Sequence, residues 1–152
     1  MDSFIIFGAS YLFLIVGLGA AYLFFVLPKE KRLSYVLAGA ISGIIALILT
    51  KLAGAAYFDP RPFTHGTHAL IQHAPDNGFP SDHSVLSFTI ALLVFTYNRR
   101  LGTVLMALAV LVAVCRVAVG VHTPLDVIAG AGIGLVSAGI GTLIIWKWRP
   151  NQ

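Results

Sequence analysis

The sequence predicts an all-α integral membrane protein, a bundle of about five transmembrane helices, and three observations predict it. The chain is 58% hydrophobic and only 11% charged, with a mean hydropathy of +0.89, far too apolar for a soluble domain of 152 residues. Its apolar residues fall into five stretches, roughly 4–27, 34–57, 84–97, 101–119 and 125–146, on the scale of the ~20 residues a helix needs to cross a bilayer. Basic residues gather at alternate ends of these stretches, the asymmetry a membrane bundle shows.

Each stretch has its own justification. The first follows Met1-Asp2-Ser3; an acidic start and a long apolar run lack the basic n-region and short h-region of a secretory signal, so it reads as a retained helix. The second carries Gly39 and Gly43, and the fifth Gly130 and Gly134; small residues four apart on apolar helices let neighbouring backbones approach. The third is short if it starts at Val85 and reads as beginning near Ser81. The fourth holds the single cysteine, Cys115, which excludes an intrachain disulfide. So little chain is left over that residues 1–152 read as one domain without a linker.

Orientation follows from the basic residues. Lys29, Lys31, Arg32, Arg99, Arg100, Lys147 and Arg149 fall on one side, and only Lys51, Arg61 and Arg116 on the other. The first set is expected in the cytoplasm, with the N-terminus, the 58–80 loop and the 117–124 loop outside and the C-terminus inside. The net charge of +4 then has a topological cause and gives no argument for nucleic acid.

The outer side collects the chemistry. "FDPRPF" carries Arg61, "PSDH" ends in His83, and "CRVAVGVHTPLD" carries Arg116, His122 and Asp126. Ionisable groups in or near the hydrocarbon are functional candidates by default. In "HTPLD", Thr123 suits an N-cap, Pro124 the first helical position and Asp126 the third, where a carboxylate reaches back toward the cap. Asp126 is thereby expected to bond His122 and fix its tautomer. Ser81 as an N-cap leaves backbone N–H groups free at a helix N-terminus, an anion site with His83 at its edge. Taken singly, Arg61 and Arg116 read equally well as side chains snorkelling to headgroups, and Ser81 and Thr123 as plain caps. Independent caps and snorkels give no reason for two histidines, two arginines and an aspartate to reach one side together.

"PSDH" with "CRVAVGVHTPLD" resembles the second and third signatures of the type 2 phosphatidic acid phosphatase (PAP2) superfamily, P-S-G-H and S-R-x5-H-x3-D. Pro80, Ser81 and His83 match the one, and Arg116, His122 and Asp126 match the other. The first signature, K-x6-R-P, is met at Arg61-Pro62, with Gly54 where its lysine belongs and Lys51 nearly a turn earlier. Asp82 replaces the glycine of the second signature and Cys115 the serine of the third.

The resemblance implies a PAP2-like bundle and a hydrolase without metal or other cofactor. It makes His122 the nucleophile, held by Asp126, and His83 the general acid that later activates water. Arg61, Arg116 and Ser81 would bind phosphate oxygens, and Lys51, Pro80, Asp82 and Gly120 complete the candidate substrate-binding set. Asp82 is similar to the bacterial branch that dephosphorylates undecaprenyl diphosphate, which implies a plasma-membrane enzyme whose partners are a lipid phosphate substrate and membrane lipids. Phosphatidylglycerophosphate or phosphatidate is the alternative substrate. A different class, a metal-binding or metal-transporting membrane protein, is raised by His65, His68 and His73 in the 58–80 loop. Against it, that loop has no cysteine and no intramembrane acid series marks an ion path.

Overall fold

The computed structural model describes residues 2–149. Six helices follow one another: α1 (Asp2–Ser10), α2 (Leu12–Val26), α3 (Lys29–Ala56), α4 (Asp82–Tyr97), α5 (Arg99–Ala118) and α6 (Pro124–Trp148), with one 3₁₀ turn at Pro62–His65. Four of the five expected stretches are single helices. The first, expected as one, is two helices bent by 46°. At the break the Ala9 carbonyl accepts from Arg116 Nη1 at 3.5 Å, a side chain entering the helical ladder, which is a recognised cause of kinks.

Among the described residues, α3, α5 and α6 are each long and apolar enough to cross a membrane, and α1 with α2 passes as a bent pair. The outward faces carry large apolar side chains, among them Leu18, Phe25, Leu47, Val104, Ile128 and Leu143, as a lipid-facing surface requires. With only 16 residues, α4 rises about 24 Å, less than the ~30 Å of a hydrocarbon core. Its place is the centre, packed against α2, α3, α5 and α6, with Val85, Phe88, Ala91, Leu93 and Val94 buried.

Glycine sets how closely α6 approaches α4. A Cβ at Gly130 would stand 2.7 Å from the Ser81 carbonyl oxygen, and one at Gly134 2.6 Å from that of Val85, so the two glycines four apart do bring backbones together. On α3 the pair divides. Gly39 lies against Leu93, while Gly43 faces open space.

The 57–81 segment is irregular, which is tolerated near a membrane where backbone is buried in protein or lines a cavity. Asn77 closes its neck. The Asn77 amide oxygen accepts from the Asp59 and Phe79 N–H groups at 2.9 and 3.0 Å, and its Nδ2 donates to the Gly54 and Tyr57 carbonyls at 3.0 and 2.9 Å. Further out, the Leu70 N–H donates to the Val119 carbonyl at 2.9 Å, and Phe63, Ala69, Leu70 and Ile71 pack over Ala9, Cys115, Val119 and Val121. The loop thus lies folded back over the ends of α1 and α5.

Candidate active site

Two helix N-termini and one C-terminus meet beneath that loop. As its sequence predicts, α6 begins with a capping box: Thr123 Oγ1 accepts from the Asp126 N–H at 3.2 Å, and Asp126 Oδ2 accepts from the Thr123 N–H at 2.8 Å. The same Oδ2 lies 3.2 Å from His122 Nδ1. A carboxylate only accepts, so Nδ1 carries the proton and donates it. The other ring nitrogen, Nε2, lies 3.4 Å from Arg61 Nη1 and 3.3 Å from Arg116 Nη2. Guanidinium nitrogens only donate, so Nε2 is the unprotonated nitrogen and aims its lone pair between two cations.

All three partners are buried. Arg61 is 5%, Arg116 3% and His122 3% exposed, values no snorkelling side chain shows. Arg61 is held by donating Nη1 to the Val121 carbonyl at 3.0 Å and Nε to Asp76 Oδ1 at 2.6 Å. Thr123 Oγ1 also donates to Asp59 Oδ2 at 2.9 Å, tying the α6 cap to the loop's neck. Cys115, at the serine position of the third signature, is buried against Gly8 of α1 and acts as wall.

Arg61, Pro80, Asp82, His83, Arg116 and His122 line one cavity of about 170 Å³, together with His73, Asp76 and Asn77. The His83 ring stands edge-on to Phe13 of α2, centroids 4.7 Å apart. Asp126 and Ser81 are buried behind this lining. Ser81 occupies the N-cap position of α4, but its Oγ makes no capping bond and has no hydrogen-bond partner. Its N–H donates instead to the Asp126 carbonyl at 3.1 Å, locking the starts of α4 and α6 together. The first N–H groups of α4, those of Asp82, His83 and Ser84, lie before the helical ladder can use them.

Besides Asp126 and Ser81 behind the lining, two more of the expected residues, Lys51 and Gly120, are outside it. Lys51 is on an exposed face of α3 and outside the lining. The lysine position of the signature, Gly54, faces the neck of the loop, where a Cβ would stand 3.1 Å from the Phe79 carbonyl oxygen. Gly120 has φ +78°, a left-handed conformation that suits glycine, and a Cβ there would stand 2.9 Å from the His68 carbonyl oxygen. It turns the chain between α5 and α6 under the loop.

Asp76 and Gly78 carry no signal in the sequence, and His73 is raised there only as a metal-ligand candidate. Asp76 and His73 border the cavity from the loop, with the His73 and His122 ring centroids 6.5 Å apart. Burial and the two arginines lower the pKa of His73. The Arg61 N–H donated to Asp76 holds its carboxyl below the usual range. Gly78 lets Asp126 sit where it does, since a Cβ there would come within 3.0 Å of Oδ2. Among the described residues, no group of three or more His, Cys, Asp or Glu side chains could hold a metal ion.

The arrangement is one that can bind a phosphate and attack it, and comparison with known proteins leads the same way. Residues 31–150 match the family described as the PAP2 superfamily. The chain is 35% identical over 140 residues to the Bacitracin transport permease protein BcrC of Bacillus licheniformis, covering 91% of this chain and 68% of that one. It is 32% identical over 137 residues to the Undecaprenyl-diphosphatase BcrC of Bacillus subtilis, covering 90% and 70%. Among solved structures it is similar to the LpxE of Aquifex aeolicus, with a TM-score of 0.67 and 26% identity over 92% of this chain and 84% of that one. A match across most of the chain, two relatives above three-tenths identity and a shared helical bundle leave one assignment: the protein is an integral membrane member of the PAP2 superfamily.

Proposed function

We propose that this protein removes the terminal phosphate of undecaprenyl diphosphate at the outer face of a bacterial plasma membrane, without a metal, through a phosphohistidine intermediate. The observation that carries the reading is the state of His122. Its Nδ1–H is held by Asp126 while its bare Nε2 points between Arg61 and Arg116, the geometry of an oriented nucleophile beside an anion seat. The name of the Bacillus subtilis relative supplies the substrate.

In this mechanism Nε2 attacks the terminal phosphorus as the bond to the bridging oxygen breaks. Arg61, Arg116 and the first N–H groups of α4 donate to the equatorial oxygens, where charge must be stabilised. Asp126 stabilises the imidazolium that forms. His83 gives its proton to the leaving lipid phosphate, then takes one from the water that attacks phosphohistidine, which releases inorganic phosphate and restores both histidines. The positive-inside distribution supports the outer location, since Lys29, Lys31, Arg32, Arg99, Arg100 and Lys147 lie at the other end of the bundle.

The test is phosphate release from undecaprenyl diphosphate in detergent with EDTA, with phosphatidylglycerophosphate and phosphatidate as competing substrates. The expected result is turnover that survives EDTA, prefers the diphosphate, and falls by about 10⁴-fold or more in His122→Ala. Loss of activity to EDTA, or activity kept by the variant, sinks the phosphohistidine route. A preference for either monoester moves the substrate and keeps the chemistry.

A further inference from the structure

Arg61 and Arg116 both stand within 3.4 Å of one imidazole nitrogen, and both are buried. Two buried cations this close need an anion when no substrate is present. For Arg61 the anion is Asp76, whose Oδ1 accepts from Nε at 2.6 Å, short even for a charge-assisted bond. The two partners differ in accessibility: the Arg61 side chain is 6% exposed and that of Asp76 59%. Asp76 also borders the cavity where phosphate would sit. Asp76 takes Nε, one donor of the fork that a phosphate would engage bidentately, so a carboxylate and a phosphate seated beside it compete for that donor.

We propose that Asp76 stands in for phosphate in the empty site: substrate displaces it from Arg61, and its return speeds the departure of the inorganic phosphate product. This rests on the function proposed above. The alternative is that Asp76 positions Arg61 for the substrate. Two observations favour displacement. Arg61 has a second anchor, the Val121 carbonyl at 3.0 Å from Nη1, which holds the guanidinium after the carboxylate leaves. The Asp76 side chain faces solvent and loses little burial by rotating outward.

The experiment measures inorganic phosphate in two ways, as an inhibitor of undecaprenyl diphosphate turnover and as a ligand that raises the unfolding midpoint. Wild type, Asp76→Asn, Asp76→Glu and Arg61→Ala are compared. Displacement predicts that Asp76→Asn binds phosphate about fivefold tighter, the scale of one solvent-accessible ion pair, with KM lowered as well. Asp76→Glu, which keeps the competing charge, should stay near wild type, and Arg61→Ala should lose the phosphate response. Unchanged or weaker phosphate binding in Asp76→Asn overturns the proposal, weaker binding making Asp76 a positioning residue. If wild type hydrolyses no lipid phosphate but phosphate still binds tighter to Asp76→Asn, the function fails and the competition stands.

Discussion

The two ends of the helix bundle carry polar groups in opposite ways. At the end where α2 meets α3 and α4 meets α5, the groups that close the helix ends bond neighbours in sequence. Arg32 donates to the Leu27 and Phe25 carbonyls at 3.0 and 2.7 Å, closing the C-terminus of α2, and Asn98 caps α5 by accepting from the Leu101 N–H at 3.1 Å. At the other end the local pairs of Asp126 with His122 and Thr123 are joined by partners from across the chain: Arg61 reaches Val121, Arg116 reaches Ala9, and Thr123 reaches Asp59. Local capping ends a helix and asks nothing of the rest of the fold. Buried cations held by remote carbonyls exist only once the whole bundle has closed, and that is the condition for a preorganised anion seat.

Removing one arginine from each end should have the most unequal effects. Arg116→Ala takes a donor from beside His122 Nε2 and should lower kcat on the lipid diphosphate by about 10²- to 10³-fold, the scale of losing one preorganised donor. Arg32→Ala removes two carbonyl bonds and the contact with the Phe24 ring, none of them at the cavity, and should leave kcat within about twofold while costing roughly 1 kcal/mol of stability. Lys51→Ala makes the contrast within one end: exposed and outside the cavity lining, it should behave like Arg32. A loss in Lys51→Ala comparable to that in Arg116→Ala would mean the lysine enters the site when substrate is bound.

Glycines give the intermediate effect. A Cβ at Gly78 would press on Asp126 Oδ2 and on the Asp59 carbonyl at 3.0 and 3.2 Å, and Asp126 is already fixed by His122 and Thr123. Gly78→Ala should therefore lower kcat by about tenfold through a misplaced imidazole. At the opposite end a Cβ at Gly102 would collide with the backbone of Phe95. Gly102→Ala should cost about 1–3 kcal/mol of stability with kcat per folded molecule unchanged. Unfolding midpoints measured beside kcat separate the two outcomes.

What the sequence made legible follows the same division. The capping box of Thr123 and Asp126, the His122–Asp126 pair and the close approach at Gly130 and Gly134 are short-range patterns, and the structure contains each of them. The sequence places Arg61, Arg116, His83 and His122 on one side of the membrane, and they line one cavity. The kink at Tyr11 was hidden because α1 and α2 contain no proline, and the side chain at the break, Arg116, lies 107 residues from the carbonyl it takes. Asp76 and Gly78 are hidden in a polar loop without periodicity, and His73 stands out there only as one of three loop histidines that suggest a metal. Asn77 is the nearest thing to a signal there, since Asn followed by Gly marks a turn, and it closes the loop's neck. Lys51 was misleading for a helical reason: three residues on, Gly54 faces the loop while Lys51 faces out.

The smallest effect concerns how firmly the loop stays down over the site as pH falls. His73 has a lowered pKa, from burial first and then from Arg61, and Asp76 has a lowered one, from the hydrogen bond to Arg61 first. In both cases the opened loop takes up a proton at a higher pH than the docked loop. The stabilisation is thus complete above the ordinary His value, begins to be lost as pH falls below it, and is lost further as pH falls through the lowered Asp76 value. Both side chains are partly solvated, so the change should stay below about 1 kcal/mol. Amide hydrogen exchange compared between neutral pH and about pH 5, corrected for intrinsic rates, should show protection at Leu70 and Gly78, whose N–H groups bond Val119 and Asp59, falling relative to that at Leu27 in the other end. His73→Gln should flatten most of that slope, because Asp76 titrates largely below the window. A slope that persists in His73→Gln would place the proton uptake elsewhere and leave the loop's docking independent of His73.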